Sequence, residues 1–197
     1  MTFGSLVAAL IFVGAGCSPS TPEASDDITF TYPDAVQEQP TWTFPGTLPE
    51  EQIVNKQVRI TTEKGDIVFE LFADTAPFTV SNFVYLTTGG YYDGLTFHRR
   101  EEWGVIQGGD PNGNGTGGPG YEFQDELADD YTYDRGMVAM ANRGPTTNGS
   151  QFFILFADAP LPKAYTIFGR VTEGMDVVDA IAVGDGMISV VVEELAQ

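Results

Sequence analysis

Residues Met140 to Ile154 read MANRGPTTNGSQFFI. The stretch is β-rich at both ends, where Met137–Ala141 runs into it and Phe152–Phe156 runs out of it, and turn-forming Gly, Pro and Asn fill the middle. Similar short runs flank it on both sides. Gln57–Thr62 places Val58 and Ile60 at a period of two, and Asp66–Phe72 follows after Glu63-Lys64-Gly65, so the pair predicts a hairpin. Leu95–Arg99, Val105–Gln107, Thr166–Val171 and Ile188–Leu195 are further short β-rich segments. Two stretches carry helical spacing instead. Thr75 is placed to cap a helix with Pro77 in its first turn, Val80, Phe83 and Val84 on one face and Gly89-Gly90 at its end. Glu173–Ala182 predicts a second helix with Met175, Val178 and Ile181 on one face. Many short strands, Gly-rich turns and only two helices predict a mainly β fold, a closed antiparallel barrel rather than alternating βαβ units.

The chain has 197 residues, a length for one domain or for one domain with an appendage. Nine Lys and Arg face 28 Asp and Glu, a net charge of −19. That balance excludes a broad basic face for nucleic acid and disfavours a polybasic hold on anionic lipid. The single cysteine, Cys17, excludes an intrachain disulfide and a Cys-based zinc site; the single histidine, His98, excludes paired-histidine metal motifs. An apolar content of 42% supports a real core despite the charge.

Three parts are expected. Residues 1–17 carry the apolar run Leu6–Val13, too short to span a bilayer, then Gly14-Ala15-Gly16-Cys17. This resembles a bacterial lipoprotein signal, which implies lipidation of Cys17 and an exported protein tethered to the outer face of the cell membrane. Two features depart from that pattern: no Lys or Arg precedes the apolar run, and Gly14 stands where Leu is usual. Residues 18–50 hold six of the twelve prolines and predict an extended acidic tether, with Phe30, Tyr32, Trp42 and Phe44 available to pack on the adjoining domain. Residues 51–197 form the domain. All nine cations lie after Glu51, together with 21 of the acids.

Several local patterns lose their chemistry on inspection. Gly113–Gly120 is Gly-rich, but no Gly-Lys-Ser/Thr follows and no helix begins there, so a surface loop is expected rather than a phosphate cradle. Asp110–Gly115 starts like a calcium loop but has Tyr121 at the position that needs Glu. No nucleophile elbow accompanies His98, which is expected to be structural.

Three separated strings carry more weight together: Phe97-His98-Arg99, Gln107-Gly108-Gly109-Asp110-Pro111, and Met140–Ile154. With Gly113–Tyr121 and Tyr165–Gly169 between and after them, residues 57–192 resemble the cyclophilin-type peptidyl-prolyl cis-trans isomerases. The resemblance implies an eight-stranded antiparallel barrel closed by two helices, proline-containing polypeptides as partners, and a monomer. It implies no cofactor and no metal. Arg99 matches the catalytic arginine, and Gln107 the glutamine that bonds substrate and supports it. Asn142 matches the residue whose backbone holds the peptide. Ala141, Phe153, Leu161 and Tyr165 match the proline pocket or its rim, and Gln151 completes the binding set. The chain departs from the family at Gly104, where a pocket phenylalanine is usual, and at Val105, where methionine is usual. Trp103 is then the expected replacement ring. Pro160–Tyr165 is one residue shorter than usual and lacks the family tryptophan. These departures leave a second reading open, a catalytically weak module that binds proline-containing segments. A transporter's substrate-binding lipoprotein fits Cys17 but neither the length nor the strings.

Overall fold

The computed structural model describes residues 41–195. The signal-like segment, Cys17, Phe30, Tyr32 and the first part of the Pro-rich segment lie outside the described residues. The elements in chain order are α1 Glu50–Ile53, β1 Lys56–Thr62, β2 Gly65–Leu71, α2 Pro77–Thr88, β3 Arg99–Glu101, β4 Val105–Gly108, β5 Met137–Met140, β6 Phe152–Leu155, β7 Ile167–Glu173, α3 Met175–Ala180 and β8 Ser189–Glu194. The one-turn α1 is not anticipated by the residue spacing.

The strands form one antiparallel eight-stranded sheet in the order β3-β4-β6-β5-β7-β2-β1-β8. The β1–β2 hairpin turns tightly, with Thr62 opposite Gly65. Val58 and Ile60 are fully buried, while Arg59 between them points outward and pairs with Asp66 on β2 and Glu193 on β8. The expected closed barrel is not what the ladders form. The sheet curls, but its end strands β3 and β8 are not paired with each other. Only the segments leading into them meet, through the Thr96–Gly186 bridge, with Phe97 N–H donating to Asp185 O at 2.9 Å and Met187 N–H donating to Leu95 O at 2.7 Å. The β-rich run at 95–99 is therefore mostly a crossing segment, and β3 begins only at Arg99.

The start of α2 also differs from the expectation. Thr75 does not cap it; Pro77 is at the first helical position and the cap residue Ala76 offers no side-chain bond. The free amides are met from a distance instead. The Glu126 carboxylate accepts Phe78 N–H at 3.0 Å, Thr79 N–H at 2.8 Å and the Thr79 hydroxyl at 2.8 Å. A carboxylate there also suits the positive end of the helix. α2 is buried well beyond the predicted stripe, because the curled sheet holds one side and loops cover another: Ser81 and Asn82 are inaccessible as well as Val80 and Phe83. At α3, Gly174 takes φ +81°, and a Cβ there would lie 2.0 Å from Asp66 O, so only glycine fits the turn.

The sheet has an apolar layer on each face. Inside, Phe69, Phe83, Tyr92, Phe152 and Phe168 are buried with ring contacts between 4.7 and 6.2 Å. The Tyr92 hydroxyl donates to Ser150 O at 3.1 Å, which satisfies the one polar atom of that cluster. Outside, Val105, Met137, Ala139, Phe153, Leu155 and Ile167 form a smaller cluster. The packed body begins inside the residues read as tether. Trp42 sits edge-on to Tyr85 and Tyr91, and Phe44 stacks on Phe123 at 5.0 Å.

Candidate active site

The outer face of four adjacent strands builds the site by register. Arg99 on β3 lies opposite Gln107 on β4, Gln107 opposite Phe153 on β6, and Phe153 opposite Ala139 on β5. A hydrogen-bond chain runs across this row in one direction. Gln151 Nε2 donates to Gly117 O at 2.9 Å, Gln107 Nε2 donates to Gln151 Oε1 at 2.8 Å, and Arg99 Nη1 donates to Gln107 Oε1 at 2.9 Å. Reversing either amide would set like atoms against each other, so the chain fixes which atom Gln107 offers to the arginine. Arg99 Nε donates to Glu101 Oε1 at 2.9 Å, and among the described residues its Nη2 has no partner. The guanidinium is thus held on two sides while the arginine side chain stays 47% exposed.

Arg99 borders a groove of about 340 Å³. All ten residues singled out from the domain sequence line it: Arg99, Gln107, Ala141, Asn142, Gln151, Phe153, Leu161, Tyr165, Val105 and Trp103. Phe153, 5% exposed, forms the apolar floor, with the Tyr165 ring edge-on at 5.5 Å. Tyr165 is held by a residue that the sequence did not single out. The Tyr133 hydroxyl accepts the N–H groups of Ala164 and Tyr165 at 3.2 and 3.0 Å and donates to Tyr165 O at 2.8 Å. Burial raises the Tyr133 phenol above its ordinary value, against the pull of those backbone bonds, so it remains a donor. Lys163 fastens the same shortened loop, donating to Asp129 Oδ1 at 2.5 Å and to Tyr131 O at 3.0 Å.

At Gly104 the backbone takes φ +130°, and an added Cβ would lie 2.9 Å from the Ala157 Cβ. No ring can project from that position. Its neighbour Trp103 lines the groove and is 46% exposed.

Another wall is the Gly-rich loop. Gly115, Gly117, Gly118 and Pro119 line the groove, as do Tyr121, Glu122 and Arg143. Asp110 organises this wall. Its carboxylate, 1% exposed, accepts the amides of Asn112 at 2.8 Å, Asn114 at 2.9 Å and Gly115. Burial pushes the Asp110 carboxyl up, but those three amides and nearby His98 outweigh it and hold it below its ordinary value. Burial holds the His98 imidazole below its ordinary value, with Asp110 pulling it up and Arg99 pushing it down. The Asn142 side chain serves the scaffold, donating to Ala164 O at 2.8 Å and to Asp125 Oδ1 at 3.2 Å. Among the described residues its backbone N–H and C=O have no partner, which leaves an extended segment open beside the floor.

Residues 57–194 match the family model for cyclophilin type peptidyl-prolyl cis-trans isomerases. The chain belongs to that family. It is a peptidyl-prolyl cis-trans isomerase. The isomerase is 47% identical over 146 residues to a peptidyl-prolyl cis-trans isomerase of Helicobacter pylori, covering 72% of this chain and 90% of that one. It is 46% identical over 129 residues to peptidyl-prolyl cis-trans isomerase B of Bacillus subtilis, covering 64% of this chain and 90% of its relative. In three dimensions it is similar to a cyclophilin type isomerase of Cryptosporidium parvum, with TM-score 0.66, 36% identity, and coverage of 70% of this chain and 97% of the other. That protein has also been solved in the presence of the dipeptide Ala-Pro. The matched region begins after Phe44, so the aromatic segment at 42–48 of this isomerase lies outside the family unit. The Gly-rich wall, Tyr133 and Glu101 are the site residues that sequence reading missed. The signal for the first was present in the string Gly113–Tyr121; nothing in the sequence placed the other two beside the groove.

Proposed function

We propose that the isomerase twists X–Pro bonds by presenting Arg99 Nη2 to the prolyl nitrogen, and that it serves exported polypeptides from a lipid tether at Cys17. The observation that carries the first part is the one-way chain from Gly117 O to Arg99, which among the described residues leaves one guanidinium nitrogen unpartnered in a groove also lined by the apolar Phe153.

The planar X–Pro amide is conjugated, with a rotation barrier of about 18–20 kcal/mol, and turns over spontaneously in tens to hundreds of seconds. An acceleration of roughly 10⁵ requires about 7 kcal/mol of selective stabilisation. As the bond twists, the nitrogen loses conjugation and exposes a lone pair. An N–H aimed at it is stronger in the twisted state than in the planar one and supplies about 3–4 kcal/mol. Anchoring one side of the bond supplies the rest. In this reading the proline ring rests on Phe153 between Tyr165 and Leu161, and the Asn142 backbone pairs with the peptide. Gln107 aims the arginine. No proton is abstracted and no covalent bond forms, so the mechanism calls on no nucleophile and no metal.

Trp103 supplies the ring that Gly104 cannot. Replacing it by Ala is expected to raise KM for an X–Pro peptide about three- to tenfold with little change in kcat, from loss of one aromatic contact. Unchanged steady-state constants would contradict that assignment.

The localisation rests on the apolar run Leu6–Val13 followed by Cys17. Expressed in a bacterium that processes lipoproteins, the full chain is expected in the membrane fraction, and Cys17→Ser is expected to leave it. Equal partitioning of the two proteins would refute the tether.

A further inference from the structure

The segment that precedes the family unit is fastened to the back of the groove. Trp42 fills a slot made for it: Gly89 has no side chain, and a Cβ there would come within 2.4 Å of the indole ring. Tyr85 and Tyr91 flank that ring edge-on at 5.6 and 5.4 Å. Phe44 lies parallel to Phe123 at 5.0 Å and 5.7 Å from Tyr121. Leu48 N–H donates to the buried Ser81 hydroxyl at 2.9 Å.

Two of the residues gripped in this way reach the groove wall. The Tyr91 hydroxyl shares a 2.9 Å hydrogen bond with Ser150 Oγ, which donates to Gly109 O at 2.7 Å. Tyr121 lines the groove itself, and its hydroxyl donates to Asn82 Oδ1 at 2.6 Å while Asn82 Nδ2 donates to Gly149 O at 2.8 Å. Ser150 and Gly149 also line the groove. Trp42 and Phe44 therefore stand behind two separate hydrogen-bonded paths to one wall, the wall that holds Tyr121, Gly149 and Ser150.

We infer that Trp42–Leu48 is a brace whose aromatic residues position this wall to bind the polypeptide flanking the proline. The inference rests on the isomerase reading but concerns flanking contacts rather than the twisted bond. Wall residues displaced by a fraction of an ångström would weaken a long substrate and leave a minimal one nearly untouched. Coupling of this kind is reciprocal, so a bound long peptide must also steady the brace.

The test uses the full chain with two probes, a tetrapeptide and a ten-residue peptide sharing one X–Pro bond. Phe44→Ala and Trp42→Ala are each expected to raise KM for the long peptide about fivefold, with kcat and the tetrapeptide constants changed by less than about twofold. Tyr91→Phe keeps the ring, removes the bond to Ser150 Oγ and is expected to show the same split. In the wild type, saturation with the long peptide is expected to slow hydrogen exchange at the Leu48 amide, a readout that needs no variant to fold. Equal effects on both probes, no effect on either, or unchanged exchange would overturn the brace. A wild type inactive on both probes would instead count against the isomerase reading.

Discussion

Arg99→Ala is expected to lower kcat/KM by about 10²- to 10³-fold, the equivalent of the roughly 3–4 kcal/mol assigned to one donor in a water-poor site. The loss should fall on kcat, because Arg99 is asked to bond the nitrogen only once conjugation is broken. Arg99→Lys should recover little of it. A lysine keeps the charge but not the fork by which one nitrogen is held by Gln107, another by Glu101, and a third is left for substrate. Steady-state assays on an X–Pro peptide decide the matter. A drop seen only in KM would make Arg99 a binding residue. Its fold should be intact, since the side chain is half exposed and the Gln107 Oε1 it releases belongs to a residue that lines the groove.

Asp110→Ala is expected to have the largest effect on stability. Three backbone amides converge on one buried carboxylate, and removing it leaves them facing each other with no acceptor. Bonds to a charged group contribute about 1.5–3 kcal/mol each and are not additive, so a loss of about 3 kcal/mol is a reasonable sum. For a domain of this size that is roughly 10 °C in Tm. Gly117 packs against the same carboxylate, where an added Cβ would meet Asp110 Oδ1 at 2.0 Å. The Gly-rich wall should therefore loosen with it, and affinity for long peptides should fall. The pH dependence has a fixed sign. The folded carboxyl lies below its ordinary value of 3.8. Its contribution is complete above the unfolded value and is lost as pH falls through the folded one. Thermal melts should show the gap between wild type and Asp110→Ala at full width near neutrality and shrinking only in acid below 3.8. A gap that stays constant into strong acid would contradict the assignment.

How much of this could be seen in the sequence depends on the range of the interaction. The β1–β2 hairpin was legible because its period of two and its turn lie within 16 residues of chain. Pro77 marked the start of α2, but the cap was not legible, because Glu126 arrives from 48 residues away. The bounds of β3 were not legible for a similar reason: the run at 95–99 is β-rich in composition, yet outside β3 it makes one isolated bridge, Thr96–Gly186. The groove residues were legible through the family strings rather than through any spacing rule. Register then explains them, since Arg99, Gln107 and Phe153 occupy one row on three strands. In the described part of the Pro-rich segment both features were legible in composition. Proline density denied it regular structure, while Trp42 and Phe44 gave it packing partners that only the folded domain supplies.

The claim that Arg99 acts on the twisted bond rather than on binding is tested most directly by exchange spectroscopy of a bound peptide. An X–Pro peptide is held at saturation on the wild type and on Arg99→Ala, and its cis–trans exchange is measured in the complex by NMR. Similar affinity for both proteins is predicted, with exchange on the wild type far faster than the spontaneous rate and exchange on Arg99→Ala slowed about 10²-fold or more. Equal exchange rates in the two complexes would contradict the account.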